Sequence, residues 1–364
     1  MRIVFVHLGP SSSDYMWANI DYLSTLAPNL HIDVITSSES KELIEKISSS
    51  KVSHFRYGAS TATEDLLSSL EIDFNYRSGF WRYSLERLIA LTEHHANFPT
   101  ESLLHIESDV LLLKSFPFEI FEKIQQIGWS PFEKDRDVAS LIYLPSSDLS
   151  LWLHAQLIEF IGNDLARNDM DLLSLLSKNF DQSILCLPIA PSPQSVAYSR
   201  ASSPSGYDRL RCSKLSEEFE GVFDGAAIGI WLTGTHPVNA FGISKRYDTK
   251  LIHETKSYVD PSKINFQFSE DDGLFWVEDE RRINVHTLHI HSKNVDFFSL
   301  ENSKLISKCV SDSRKGKVTT DFYLSVFLRS IEDNWKKGTL LRYLSWLPGI
   351  RKLKVLWSKF HKFS

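Results

Sequence analysis

Cysteine is scarce. Cys186, Cys212 and Cys309 are the only three in 364 residues, and they form neither a CxxC pair nor an even-numbered framework. That excludes a disulfide-stapled scaffold and reads as reduced thiols in a cytoplasmic setting. Long apolar runs are also missing. No stretch approaches the ~20 residues of a membrane helix. "MRIVFVHLGPSSS" turns polar after residue 8, unlike a signal peptide. The expectation is a soluble protein, or one held peripherally at the inner face of a membrane. There is no internal repeat and no low-complexity linker. Excess positive charge is lacking as well: the formal charge of −6 speaks against a general nucleic-acid binder.

What is present is an ordinary globular composition, 42% hydrophobic and 24% charged, with 12% aromatic residues that exclude a disordered chain. Charge is unevenly placed. Residues 334–364 hold eight Lys or Arg and no acid, so the remainder carries −6 − 8 = −14. In that tail the basic residues alternate with Leu, Trp and Phe, which suits an anionic lipid surface or a helix packed on the acidic body.

The N-terminal 57 residues alternate apolar runs with amphipathic stretches. "RIVFVHLG", "HIDVITSS" and "VSHFRY" predict strands, and "SSSDYMWANIDYLSTLAP" and "SESKELIEKISSS" predict helices. This alternation is the pattern of a parallel α/β sheet. A long helix is expected over 78–99, with Ser78 as its cap. The strand that follows, "SLLHI", is apolar on both faces and belongs in the middle of the sheet. Further on, a helix is expected over 117–128, a strand at "VASLIYLP" and a loop over 194–213. "FDGAAIGIWLTG" reads as a loop entering a helix, and a strand carries the alternating histidines of "LHIHSK". The fold expected is a mixed, mainly parallel sheet flanked by helices over 1–300, with a helical extension over 301–364.

Five stretches carry chemistry. "HIESDV" puts Glu107 and Asp109 at the end of a buried strand, where side chains face the ligand crevice of an open α/β sheet. Carboxylates one residue apart in an extended segment can converge on a hard divalent ion such as Mg²⁺ or Mn²⁺; a turn with solvated acids is the alternative. In "HIHSK", His289, His291 and Lys293 share strand parity, two imidazoles for a metal and an ammonium for a phosphate. Asp224 opens a helix beside Gly225, Ala226 and Ala227. It is either an N-cap or a carboxylate facing an acceptor hydroxyl as a base, with small residues that admit another molecule. Arg82 and Arg87 lie five apart on the long helix, and a buried arginine needs a carboxylate or phosphate partner. The fifth is the basic tail.

Taken in chain order, these stretches resemble the GT-A-type, nucleotide-sugar-dependent glycosyltransferases, with Glu107 in place of the first Asp of their "DxD" motif. The resemblance spans most of 1–300. It implies a Rossmann-type nucleotide half, with His7 and Gly9 in the first nucleotide-binding loop and Arg82 or Arg87 on nucleotide or sugar. Asp109 is then the chief metal ligand, supported by Glu107 and by His291 in preference to His289. Lys293 clamps the diphosphate, and Asp224 is the catalytic carboxylate beside the acceptor, a base in inverting members and a positioning group in retaining ones. The implied reaction is metal-assisted (Mn²⁺ or Mg²⁺) transfer of a sugar, UDP-linked by preference, to a glycan or lipid-linked acceptor, as in bacterial capsule or lipopolysaccharide assembly. A metal-dependent hydrolase or phosphotransferase and a non-catalytic, transferase-like subunit are the competing readings.

Overall fold

The structure is a computed structural model that describes residues 1–9, 14–37, 52–70, 79–166, 168–200, 202–234 and 257–314. The helix expected over 38–50, Ser78 and the tail 334–364 lie outside these residues. The described residues all fall in one compact unit.

The β-branched run of β1 (Arg2–His7) leads through α1 (Asp14–Leu26) to β2 (His31–Thr36) and β3 (Val52–Arg56). Then come α2 (Thr61–Ser68), α3 (Phe80–His95), β4 (Leu103–Ile106) and β5 (Val110–Leu112). The next segment holds α4 (Phe118–Phe121), β6 (Ile127–Glu133) and β7 (Arg136–Leu144), followed by α5 (Ser147–Gly162), α6 (Asp169–Asn179) and β8 (Ile184–Cys186). The main sheet has seven strands in the order β3-β2-β1-β4-β7-β6-β8, and β7 alone runs against the rest. This is the expected mixed, mainly parallel sheet flanked by helices, with β4 at its centre.

All four residues of β4 are buried, as its two apolar faces require. Leu85, Leu88 and Ile89 of α3 lie on one face of that helix and join Leu103, Ile142 and Leu157 in the core under the sheet. Each such side chain contributes about 1.5–3 kcal/mol on burial. At the edge away from the end of β4, Arg2 donates to both oxygens of Asp33 at 2.8 Å, and His94 lies 2.9 Å from the same carboxylate. That buried acid is therefore fully answered.

The C-terminal half adds α7 (Gly206–Ser213), β9 (Gly221–Val222), α8 (Ala227–Thr233), β10 (Gln267–Ser269), β11 (Gly273–Glu278), β12 (Arg281–Val285), β13 (Thr287–His289) and α9 (Asn302–Arg314). A second sheet has the order β10-β11-β12-β9, and among the described residues β13 pairs with β5 alone. Three local expectations need correction. The helix over 117–128 stops at Phe121, because Ile127 onward is drawn into the main sheet as β6 between β7 and β8. The loop over 194–213 contains α7, started by a capping box between Ser205 and Asp208. The long helix begins at Phe80, after Gly79 in a left-handed conformation that only glycine adopts without cost. Among the described residues no helix is long and apolar enough to cross a membrane.

Candidate active site

Beyond Ile106 the chain keeps one more sheet bond, Glu107 N–H to Ser140 O at 3.0 Å, and then turns, with Val110 N–H donating to Glu107 O at 3.0 Å. The acidic pair thus sits in a tight turn at the carboxyl end of the central strand, the edge where open α/β sheets bind ligands. Asn19 of α1 fixes the turn from behind, its amide donating to Ser108 O at 3.2 Å and Val110 O at 2.8 Å.

The partner arrives from 180 residues away. β13 runs antiparallel to β5 with His289 opposite Val110, and Ile290 N–H donates to Asp109 O at 2.7 Å. This register brings His289 Nε2 to 3.1 Å from Asp109 Oδ2 and 3.7 Å from Glu107 Oε2. One ligand atom from each of Glu107, Asp109 and His289 lies within 4.8 Å of the others. The strand ends at His289, so the extended parity expected for 289, 291 and 293 does not continue. Instead Lys293 N–H donates to Ile290 O at 2.9 Å, and the curl carries the Lys293 ammonium back onto Asp109. His291 lies outside the group and stacks on the His289 ring, with centroids 4.0 Å apart.

Electrostatics keep this group in its ligating form. Burial pushes Glu107 up, but the Arg87 guanidinium outweighs it and leaves the carboxyl below its ordinary range. Burial pushes His289 down, so its imidazole is neutral at pH 7. Among the described residues its buried Nδ1 has no hydrogen-bond partner, and neither has His291 Nε2. Two hard oxygens and a neutral nitrogen in van der Waals reach fit Mn²⁺ or Mg²⁺.

Arg87 does not reach out to a ligand. One arm pairs with Glu107 and the other with Asp169 Oδ2 at 2.7 Å. Asp169, at the start of α6, is the residue that sequence reasoning missed. It was visible only as an acid in a helix's first turn, a routine dipole position. Arg82 lies in a separate network with Glu64 and Glu86 and is not brought to the acids. His7 ends β1, and the N–H of Gly9 (φ +123°) donates to Ser37 Oγ at 3.0 Å. Most of the expected nucleotide loop, 10–13, lies outside the described residues.

Asp224 is a cap. Its Oδ1 accepts from Ala226 and Ile228 N–H at 2.9 Å, and its Oδ2 accepts from Gly229 N–H at 2.7 Å and His289 N–H at 2.9 Å. Four donors take the carboxylate's four in-plane positions, so none is directed at an acceptor hydroxyl. This corrects the expectation of a catalytic base. The small residues beside it admit the chain itself. A Cβ on Gly229 would stand 2.1 Å from His289 O, and one on Gly225 would stand 2.5 Å from Pro131 O. Asp224 therefore fastens α8 to β13 directly behind His289. A cavity of about 560 Å³ elsewhere is lined by Cys186, Tyr207, Leu210 and Arg211 and by none of the acid–histidine group.

No protein-family profile matches the chain, and no curated protein matches it. Solved structures do. The galactosyltransferase LgtC, in complex with donor and acceptor sugar analogues, is 14% identical over 58% of this chain and 83% of its own, with a TM-score of 0.39. Mouse xyloside xylosyltransferase 1 is 12% identical over 58% of this chain and 93% of its own, with a TM-score of 0.36. The PaToxG glycosyltransferase is 14% identical over 49% and 68%, with a TM-score of 0.33. At TM-scores below 0.5 these overlaps are partial, and the chemistry of the site rests on its own side chains.

Proposed function

We propose that the chain is a GT-A-type glycosyltransferase that moves a sugar from a nucleoside diphosphate, UDP by preference, to a hydroxyl of a glycan or lipid-linked acceptor. The observation that carries this reading is the convergence of Glu107, Asp109 and His289 at the carboxyl end of the central strand. Those three residues would hold Mn²⁺ or Mg²⁺, which supplies Lewis-acid stabilisation of the charge that develops on a leaving diphosphate. The protein's own part is positional and electrostatic. Arg87 keeps Glu107 ionised, Asn19 fixes the turn, Asp224 braces β13 through the His289 N–H, and burial keeps the His289 imidazole neutral. The Lys293 ammonium stands at the same site and offers a point charge to phosphate oxygens. We infer further that the basic, aromatic composition of 334–364 holds the protein at anionic lipid, where a lipid-linked acceptor would be met.

Thermal shift with UDP, GDP and CMP, with and without Mn²⁺, tests the reading. Stabilisation by one nucleotide that requires the metal is expected, and it is lost in Asp109→Asn. No stabilisation by any nucleotide under any condition overturns it. Metal-dependent hydrolysis of a nucleotide sugar to nucleoside monophosphate and sugar 1-phosphate, at the same rate with and without acceptors, would favour a hydrolase.

A further inference from the structure

The contact between Lys293 and Asp109 brings a cation to the group that would bind one. The Lys293 ammonium meets Asp109 Oδ2, the same oxygen that His289 Nε2 approaches at 3.1 Å. We propose that Lys293 is a built-in competitor for Asp109, so that divalent metal binding and release of the Lys293 ammonium form one coupled exchange. This rests on the reading of Glu107, Asp109 and His289 as a metal site, and it adds a residue that sets the affinity of that site.

Charge and burial argue for it. The Asp109 side chain is 7% exposed, and an unanswered carboxylate there costs several kcal/mol. Glu107, Asp109 and Asp169 together carry −3, and Arg87 and Lys293 return +2, leaving −1. With Lys293 withdrawn the sum is −2, which a dication balances; with Lys293 retained, two cations would crowd one carboxylate at close range. Arg87 is not the residue that leaves, because it bridges Glu107 and Asp169 with both arms.

Lys293 is built to move. Its side chain is 24% exposed, on a four-carbon stem whose ammonium donates in any direction. Its backbone is held in a left-handed conformation, φ +57°, by the turn onto Ile290, so the root of the side chain stays put while the head swings. Such a conformation is disfavoured in a residue with a Cβ and marks a position that the surrounding structure over-determines. The ring of Tyr15 lies 5.2 Å from Lys293 Nζ and offers a cation–π resting place beside the site.

The experiment uses the full chain and Mn²⁺ alone, with no nucleotide. Free Mn²⁺ is followed by electron paramagnetic resonance, and accessibility of the Lys293 amine by reductive methylation with mass spectrometry. Lys293→Met is expected to bind Mn²⁺ about tenfold tighter than wild type, with Lys293→Arg returning toward the wild-type Kd. In wild type, Mn²⁺ should raise Lys293 methylation several-fold. In Asp109→Asn, methylation should be high from the start and unresponsive to Mn²⁺. Equal or weaker binding by Lys293→Met, with metal bound by both proteins, overturns the exchange and leaves the metal site standing. No Mn²⁺ binding by either protein overturns both. If Lys293→Met does not fold, the wild-type methylation decides alone, and a rate unchanged by bound Mn²⁺ counts against the exchange.

Discussion

A buried carboxylate persists only where its charge is answered, and the site answers its acids in different ways. Glu107 and Asp169 share one guanidinium, and Asp224 collects four backbone N–H groups. Removing Arg87 leaves two carboxylates facing each other away from water. Arg87→Met should therefore cost about 3 kcal/mol at pH 7, near the lower end for broken buried pairs. The sign with pH is definite. In wild type the lowered pKa of Glu107 contributes stability above the ordinary carboxylate range, and that contribution is lost as pH falls through the lowered value. Without Arg87, burial, the largest influence on both carboxyls, and the repulsion of Asp169 by Glu107 favour the protonated forms, so acid relieves the variant. Urea unfolding should show a smaller penalty for Arg87→Met at pH 5 than at pH 7, and an equal or larger one would sink this account. Asp224→Asn exchanges two acceptor positions for N–H groups aimed at donors. It should lower Tm by several degrees, and an unchanged Tm would contradict the capping role.

At the scale of elements, the site is a junction. β5 leaves the main sheet, β13 joins it, and α8 presses on β13 from behind. Gly229 makes that contact possible, since any Cβ there would fall 2.1 Å from the His289 carbonyl. Gly229→Ala should destabilise the fold by about 1–3 kcal/mol, the usual cost of overpacking. It should also weaken Mn²⁺ binding, because β13 must shift and carry His289 away from Asp109. A Tm and a Mn²⁺ Kd both equal to wild type would show that α8 does not set the position of His289. Ala226, at φ +98°, is the backbone cost of this junction, held by its N–H bond to Asp224.

At the scale of the whole molecule, neutral histidines sit inside the fold. His105 in β4 donates to Val4 O at 3.0 Å, and burial lowers its pKa to about 3. His286 donates to Phe219 O at 3.0 Å, and burial lowers its pKa to about 4. Each is neutral when folded and takes up a proton on unfolding once the pH drops below about 6.5. Their stabilising share is complete above that value and is lost as the pH falls toward 4, by at most about 1.4 kcal/mol per pH unit for each. Tm should fall between pH 7 and pH 5, less steeply in His286→Gln, which keeps a donor for Phe219 O. Identical slopes for the two proteins would rule the histidine out as a source. For the whole chain on vesicles, deletion of 335–364 should reduce partitioning to anionic lipid, and unchanged partitioning would count against a lipid role for the tail.

Much of this was legible along the chain. The alternation of apolar runs and amphipathic stretches determined a mixed, mainly parallel sheet, because period and burial are local properties. The break in "HIESDV" determined that acids stand at the end of a central strand, since no apolar run tolerates them elsewhere. What a local pattern does not contain is where a strand stops and what it meets. β13 ends at His289, so register rather than parity chose His289 over His291 as the neighbour of Asp109. Asp224 reads the same as a cap or as a base until its four donors, one of them 65 residues away, are in place. Arg87 and Asp169 are 82 residues apart and carry no shared signal before folding brings them together. Residue types and spacing determined which groups were available for this site. Only the packing of β13 against β5 and α8 decided which of them face one another, because those contacts exist solely in three dimensions.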